Sequence, residues 1–150
     1  MKISKKVECG IIAMIDIALY SDSGEAVTVD SISKRQGISV KYLEQILPSL
    51  RQAHLIQGMK GCRGGYTFSK SPDKITLKEI IDALDVTILN DFYYDDNKNY
   101  SDLNTIVYDY FWNKVTKNIQ SIAESITLNT IADKCRDAIN ESNENFMYYI

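Results

Sequence analysis

The sequence predicts a mainly α-helical protein that carries one small β-hairpin, and three observations support this fold class. Apolar residues recur at spacings of three and four along most of the 150-residue chain, which is the period of amphipathic helices. Residues 58–68, GMKGCRGGYTF, break that period with four glycines between two short β-type patterns. From Asp102 to Glu124 the helical stripe is longer than a small domain needs for its own core. We therefore divide the chain into residues 1–85 and 86–150.

Composition and charge limit the function classes. Hydrophobic residues make up 45% and charged residues 25% of the chain, as in ordinary globular proteins. No apolar run approaches the roughly 18 residues of a membrane span, so we expect a cytoplasmic protein without membrane contact. Residues 1–80 carry 12 Lys and Arg against 8 Asp and Glu, whereas residues 81–150 carry 5 against 12. A polyanion would bind the basic end; an ordinary solvated surface is the alternative.

The reactive side chains are few. Cys9, Cys62 and Cys135 are too widely spaced for a disulfide framework or a CxxC metal site. Cys62 lies beside Arg63, whose charge would favour a thiolate, so it is a possible redox thiol, with an incidental surface thiol as the alternative. The chain has one histidine, His54, and no Ser/His/Asp or paired-carboxylate arrangement. The sequence therefore predicts that the protein is not an enzyme.

Apolar spacing and capping residues predict the first three helices. The first runs from about residue 4 to 21, and a short strand at AVTV follows it. Asp30 is predicted to cap a brief second helix that ends at Gly37, and Ser39 to cap a third, VKYLEQILPSLRQA. The predicted apolar face of the third helix consists of Leu43, Ile46, Leu47, Leu50 and Ala53.

The glycine-rich segment belongs to a hairpin. HLIQGMKG and GGYTFSK are its predicted strands, and Tyr66 and Phe68 would seat it on the core. Two short helices around a Gly-containing turn, followed by a hairpin, form a winged helix-turn-helix. In this motif the second helix lies in the major groove of DNA, while the hairpin, or wing, reaches the neighbouring backbone.

We predict DNA contacts from three places in this motif, with solvated surface residues as the alternative. The recognition helix offers side chains to base edges, and the wing and N-terminus offer charge to phosphates or the minor groove. Glu44 repels phosphate and accepts only from a base such as cytosine, so it would disfavour wrong sequences. The predicted DNA-binding residues are Lys2, Ser4, Ser39, Lys41, Tyr42, Glu44, Gln45, Lys60, Arg63 and Gly64.

The remainder of the chain is predicted to be helical in three places. Thr76 and Glu79 form a capping box that opens a helix ending near Leu84, after which residues 85–101 show no clear period. The long stripe that follows is assigned to pairing with a second copy. Thr127 is predicted to cap a short last helix that ends near Asp137, and INESNENFMYYI trails to the terminus. Tyrosines between residues 93 and 110 would pack in an interface or line an effector pocket.

The order of elements and five motifs resemble a known family, the winged-helix regulators of the IscR/CymR (Rrf-two) type. The motifs are MKIS, SISKRQGIS, KYLEQILPSLRQAHLI, GCRGGY and ITLKEIIDAL, and they cover residues 1 to about 84. The family includes iron–sulfur sensors and a repressor of cysteine metabolism. Its cluster-binding members carry three cysteines after the TLKEII helix, where residues 86–134 of this chain contain none. The resemblance therefore implies a regulator without an iron–sulfur cluster, and we expect no cofactor.

The terminal residues FMYYI resemble the end of the CymR-type repressors. For that group the resemblance implies a complex with cysteine synthase, which accepts a C-terminal isoleucine carboxylate in its substrate site. The candidate partner-binding residues are Met147, Tyr148, Tyr149 and Ile150. A free carboxylate and a β-branched side chain suit such a pocket.

The favoured hypothesis is a homodimeric DNA-binding repressor of an imperfect palindrome, with no catalysis. Two alternatives remain open. One is an interaction protein that docks its tail into an enzyme. The other is a redox sensor that uses a thiol or a cofactor held by ligands other than cysteine.

Overall fold

The structure is a computed structural model and describes residues 2–21, 24–61, 64–90 and 101–148. The N-terminal part contains α1 (Lys5–Tyr20), α2 (Val29–Gln36), α3 (Val40–Gln52), β1 (Ile56–Met59), β2 (Gly65–Phe68) and α4 (Leu77–Leu84). The C-terminal part contains α5 (Asp102–Val107), a π-helical turn (Tyr108–Trp112), α6 (Asn113–Ser125) and α7 (Leu128–Tyr148). The fold is thus mainly helical with one two-stranded antiparallel sheet, as predicted.

Side-chain caps begin most of these helices. The predicted cap Ser39 accepts a hydrogen bond from the Tyr42 N–H, and the Thr76–Glu79 capping box has both of its reciprocal hydrogen bonds. The prediction that Asp30 caps α2 is wrong, because Thr28 is the extended residue that accepts from the Ser31 N–H. Asp30 lies in the first turn, where its carboxylate pairs with Lys34 at 2.8 Å.

The hairpin is held against the helices at its second strand. β1 and β2 pair from Ile56–Phe68 to Met59–Gly65, and Tyr66 and Phe68 pack on the core as predicted. The predicted AVTV strand reduces to one bridge, in which the Val27 and Tyr66 backbones exchange hydrogen bonds of 2.9 and 2.8 Å. This bridge attaches the wing to the segment just before α2.

The helix-turn-helix core follows the predicted apolar face with one exception. Four α3 side chains are fully buried, namely Leu43, Ile46, Leu47 and Leu50. The prediction that Ala53 points inward is wrong, because Ala53 is the C-cap of α3 and is exposed. The next residue, His54, has φ +59°, and its N–H donates to the Arg51 carbonyl at 2.9 Å. The chain therefore leaves the helix axis before Ala53 reaches the core.

The long helix is continuous from Asp102 to Ser125 but contains an unpredicted π turn at Tyr108–Trp112. Such a turn holds one residue more than an α turn, so it offsets the faces before and after it. Before the turn, Leu103, Ile106 and Val107 are each more than half exposed. After it, Val115 and Ile119 are half-buried, although Ile122 is again 60% exposed. The predicted stripe is therefore most exposed in its first half.

The last helix is longer than predicted. Thr127 caps it as expected, accepting from the Thr130 N–H at 3.2 Å, but α7 continues to Tyr148 instead of ending near Asp137. No glycine or proline interrupts the sequence between these two positions, so nothing in the backbone ends the helix. No helix in the described part of the chain is both long and apolar enough to cross a membrane.

Backbone hydrogen bonds attach the C-terminal helices to the winged helix. The Leu77 N–H donates to the Ile126 carbonyl at 2.9 Å, and the Leu128 N–H donates to the Ile75 carbonyl at 2.8 Å. Leu128 is fully buried, and α7 packs along α1 while α6 packs on α4. A single core therefore includes residues from both sides of position 85.

We predict that Gly65→Ala destabilises the protein by about 1–3 kcal/mol, a typical cost of backbone strain. Gly65 has φ +150°, and an added Cβ would lie 2.4 Å from the Val27 carbonyl oxygen. Gly58→Ala is the matched control, since its added Cβ meets nothing within 4 Å. Urea denaturation followed by circular dichroism measures both. Equal stability of the two variants would contradict the prediction.

Candidate nucleic-acid interface

One face of α3 is free of contacts with the core. Lys41, Glu44 and Gln45 recur at helical spacing and are all exposed. Ser39 is exposed at the start of the helix, where its Oγ accepts from the Tyr42 N–H at 3.2 Å and retains its own hydroxyl proton for donation. Tyr42 differs from these residues because it is half-buried and packs against the core. The face therefore presents a cation, an anion, an amide and a hydroxyl to solvent.

The start of α1 lies beside the start of α3. Lys5, Ser39 and Tyr42 line one groove of about 360 Å³. Ser4 is half-buried and caps α1, accepting from the Val7 N–H at 3.3 Å, while Lys2 is exposed. The lysine-rich N-terminus is thus adjacent to the helix whose exposed face is described above.

The wing carries its own exposed cation. Lys60 follows β1 and is exposed, and Gly61 has φ +110°, a conformation that side chains disfavour. Gly64 is half-buried, and its N–H donates to the Gly61 carbonyl at 2.9 Å. Cys62 and Arg63, the predicted redox thiol and phosphate contact, lie outside the described residues.

A second groove, of about 520 Å³, separates the wing from the helices, and sequence reasoning missed one of its residues. Arg51 in the last turn of α3 lines it together with Lys60, Gly64 and Thr28. The apolar spacing of α3 identified its buried side chains but gave no reason to single out Arg51. The signal was the hairpin itself, because the strand that follows α3 ends next to Lys60, which lines the groove with Arg51. The groove gathers two cations, Arg51 and Lys60, from separate segments.

The predicted partner-binding residues lie elsewhere. Met147 is 76% exposed near the end of α7, and none of the residues lining the two grooves belongs to that end of the helix. Tyr148 is the last residue of α7, whereas Tyr149 and Ile150 lie outside the described residues. The expected trailing tail is therefore largely helical.

A protein-family model described as Rrf2, iron-dependent transcriptional regulator, matches residues 3–134. The chain belongs to the Rrf2 family. The α3 face and the wing described above are accordingly the winged-helix elements of an Rrf2 protein.

Curated Rrf2 relatives are similar over somewhat more than half of the chain. The HTH-type transcriptional regulator IscR of Cereibacter sphaeroides is 39% identical over 89 residues, which make up 59% of this chain and 57% of that protein. IscR of Aliivibrio salmonicida is 40% identical over 88 residues, 59% of this chain and 52% of that protein. The chain thus spans little more than half the length of these relatives.

Solved structures extend the likeness to the C-terminal helices. CymR (YrzC), described as the global cysteine regulator of B. subtilis, shares 27% identity and a TM-score of 0.75, covering 89% of this chain and 98% of that one. IscR of T. potens shares 32% identity and a TM-score of 0.71, covering 92% and 90%. The resemblance seen in the sequence motifs is therefore confirmed.

The Rrf2 description includes iron, so we asked whether the side chains of this chain fit an iron site. Cys9 is buried in α1 and Cys135 is half-buried in α7. Within the ranges that the structure describes, no three His, Cys, Asp or Glu side chains lie together as metal ligands. The thiols do not fit a conventional three-cysteine cluster, since residues 86–134 contain no cysteine at all.

We predict that Arg51→Ala weakens binding to a random-sequence duplex and reduces the salt slope of log K by about 0.9, the value for one phosphate contact in B-DNA. Fluorescence anisotropy across a salt series measures the slope. Lys117→Ala is the matched control, because it removes an exposed cation from α6, outside the winged helix. A slope equal to that of the wild type would remove Arg51 from the interface.

Proposed function

We propose that the protein is a homodimeric, sequence-specific DNA-binding repressor that has no catalytic activity. The observation that carries this proposal is the combination of the exposed α3 face with cations on the wing and on the last turn of α3. Major-groove readout needs side chains on one helix face, and backbone binding needs cations near that face. The chain supplies both.

The polar groups of α3 suit base recognition. Gln45 is able to form a bidentate pair with adenine, and Lys41 to donate to guanine. Glu44 is exposed on the same face, and its carboxylate accepts only from donors such as the cytosine amino group. Lys60 and Arg63 on the wing, with Lys2 and Ser4 at the N-terminus, would contact the adjoining backbone or minor groove.

The exposed half of the long helix supports the homodimer. Five of its apolar side chains are more than half exposed, namely Leu103, Ile106, Val107, Tyr110 and Phe111. Monomeric proteins rarely leave so continuous an apolar strip in water. A second copy that covers it about a two-fold axis would present two α3 helices to successive major grooves, and the operator would then be an imperfect palindrome.

We further propose that regulation does not use an iron–sulfur cluster, because the thiols do not match the spacing of a conventional one. A thiol-based sensor remains the alternative, with Cys62 as its candidate. Visible absorbance in freshly purified anaerobic protein would argue against a cluster-free regulator.

We predict that the wild-type protein enriches a palindromic sequence from a pool of random duplexes and binds it at least about 10³-fold more tightly than a random duplex. Ile106→Glu should convert the dimer to a monomer in sedimentation and abolish that preference, because it places a charge in the apolar interface. Asn118→Glu, at an exposed polar position of the same helix, is the control. Wild-type protein that shows no preferred duplex would contradict the function.

A second proposal concerns the terminus, and the similarity to a global cysteine regulator favours it. We propose that the chain controls cysteine metabolism through a complex in which Met147, Tyr148, Tyr149 and Ile150 bind cysteine synthase. Phe146 is 69% exposed and precedes this segment, so the end of α7 is accessible to a partner.

We predict that deletion of Ile150 abolishes binding to cysteine synthase while thermal stability is unchanged, since a terminal carboxylate is recognised by position. Isothermal titration calorimetry with the purified enzyme measures the affinity. Asn140→Ala, at an exposed position of α7, is the control and should bind normally. Full affinity of the deletion variant would rule out docking through the terminal residue.

A further inference from the structure

A buried carboxylate links α1 to the end of α2. Asp16 is 0% exposed, and its two oxygens accept three hydrogen bonds. The Arg35 Nε and Nη2 donate at 3.0 and 2.7 Å, and the Gln36 Nε2 donates at 2.8 Å. The guanidinium also lies 3.9 Å from the centre of the Tyr20 ring. Hydrogen bonding to Asp16 raises the pKa of Arg35.

These donors come from the two residues that end α2, next to the turn of the helix-turn-helix. Gly37 follows them in the left-handed conformation, at φ 66° and ψ 27°. Ser39, the cap of α3, is two residues further on. The Asp16 carboxylate of α1 therefore fixes the end of α2, which the turn connects to the start of α3.

Stability alone does not account for an ion pair at this position. Removing charges from water is costly, and well-packed apolar residues often stabilise a protein as much as a buried ion pair does. Three hydrogen bonds differ from apolar packing because they impose distances and angles. The forked guanidinium adds a fixed plane to that geometry.

We infer that Asp16 is a positioning residue for DNA sequence recognition, which sets the orientation of α3 through Arg35 and Gln36. This inference rests on the proposed sequence-specific DNA binding. Asp16 has no exposed surface and cannot touch DNA itself. Base-edge hydrogen bonds require α3 in one orientation, whereas contacts with phosphates tolerate small rotations.

The test compares specific and non-specific binding in protein that is fully folded. Asp16→Asn keeps the side-chain volume but removes the charge and turns one acceptor into a donor facing Arg35. We expect affinity for the selected palindrome to fall about tenfold or more, as for one lost base contact, while affinity for a random duplex does not fall. Circular dichroism at the assay temperature establishes that the variant is folded. Asp30→Asn is the matched control, because the Asp30–Lys34 pair is exposed on α2.

A milder variant covers the case in which Asp16→Asn does not fold. Arg35→Lys keeps the charge pair with Asp16 but loses the planar pair of guanidinium donors. We therefore expect a smaller fall in specific affinity and an unchanged salt slope of log K. Unchanged specific affinity in the folded variants would overturn the inference. A wild-type protein without any preferred duplex would instead contradict the proposed function, so the two failures are distinguishable.

Discussion

The arrangement of this protein depends on a short backbone junction between two distant segments. Thr76 and Thr127 form a bridge in which the chain just before α4 pairs with the chain just before α7. Each of these threonines also caps the helix that follows it. The junction thereby fixes where two helices begin, how α7 returns along α1, and where α6 must end.

Local signals in the sequence were sufficient wherever one residue determines an element. Ser39, Thr76 and Thr127 were predicted as caps, and Gly37 as the end of α2, because a cap is recognised from a few neighbouring residues. The cap of α2 is Thr28, whereas the sequence predicted Asp30 for this role. Both residue types are good caps, and the choice depends on the Val27–Tyr66 bridge, which keeps the preceding chain extended. That bridge is a long-range contact and leaves no local pattern.

The candidate site shows the same division between local and long-range information. The exposed positions of α3 follow from helical spacing and were predicted. Arg51 and Lys60 line one groove only because the hairpin packs next to the helices, which is a long-range arrangement. The π turn was missed because periodicity averages over several turns, and one added residue shifts the face without removing the stripe. The length of α7 was missed because residues 140–145, NESNEN, are all polar and give no periodic signal.

α1 is the element through which the parts of the molecule meet. It contacts α2, α3, α4, α7 and β2, while the long helix packs through α6 on α4. The Asp16 carboxylate of α1 accepts hydrogen bonds from α2. On its apolar side, Ile12 and Ile15 line a groove together with Cys135 and Ile139 of α7. Gln36 lines that same groove and donates to Asp16. A molecule seated against α1 and α7 would therefore touch a side chain that holds the turn before α3.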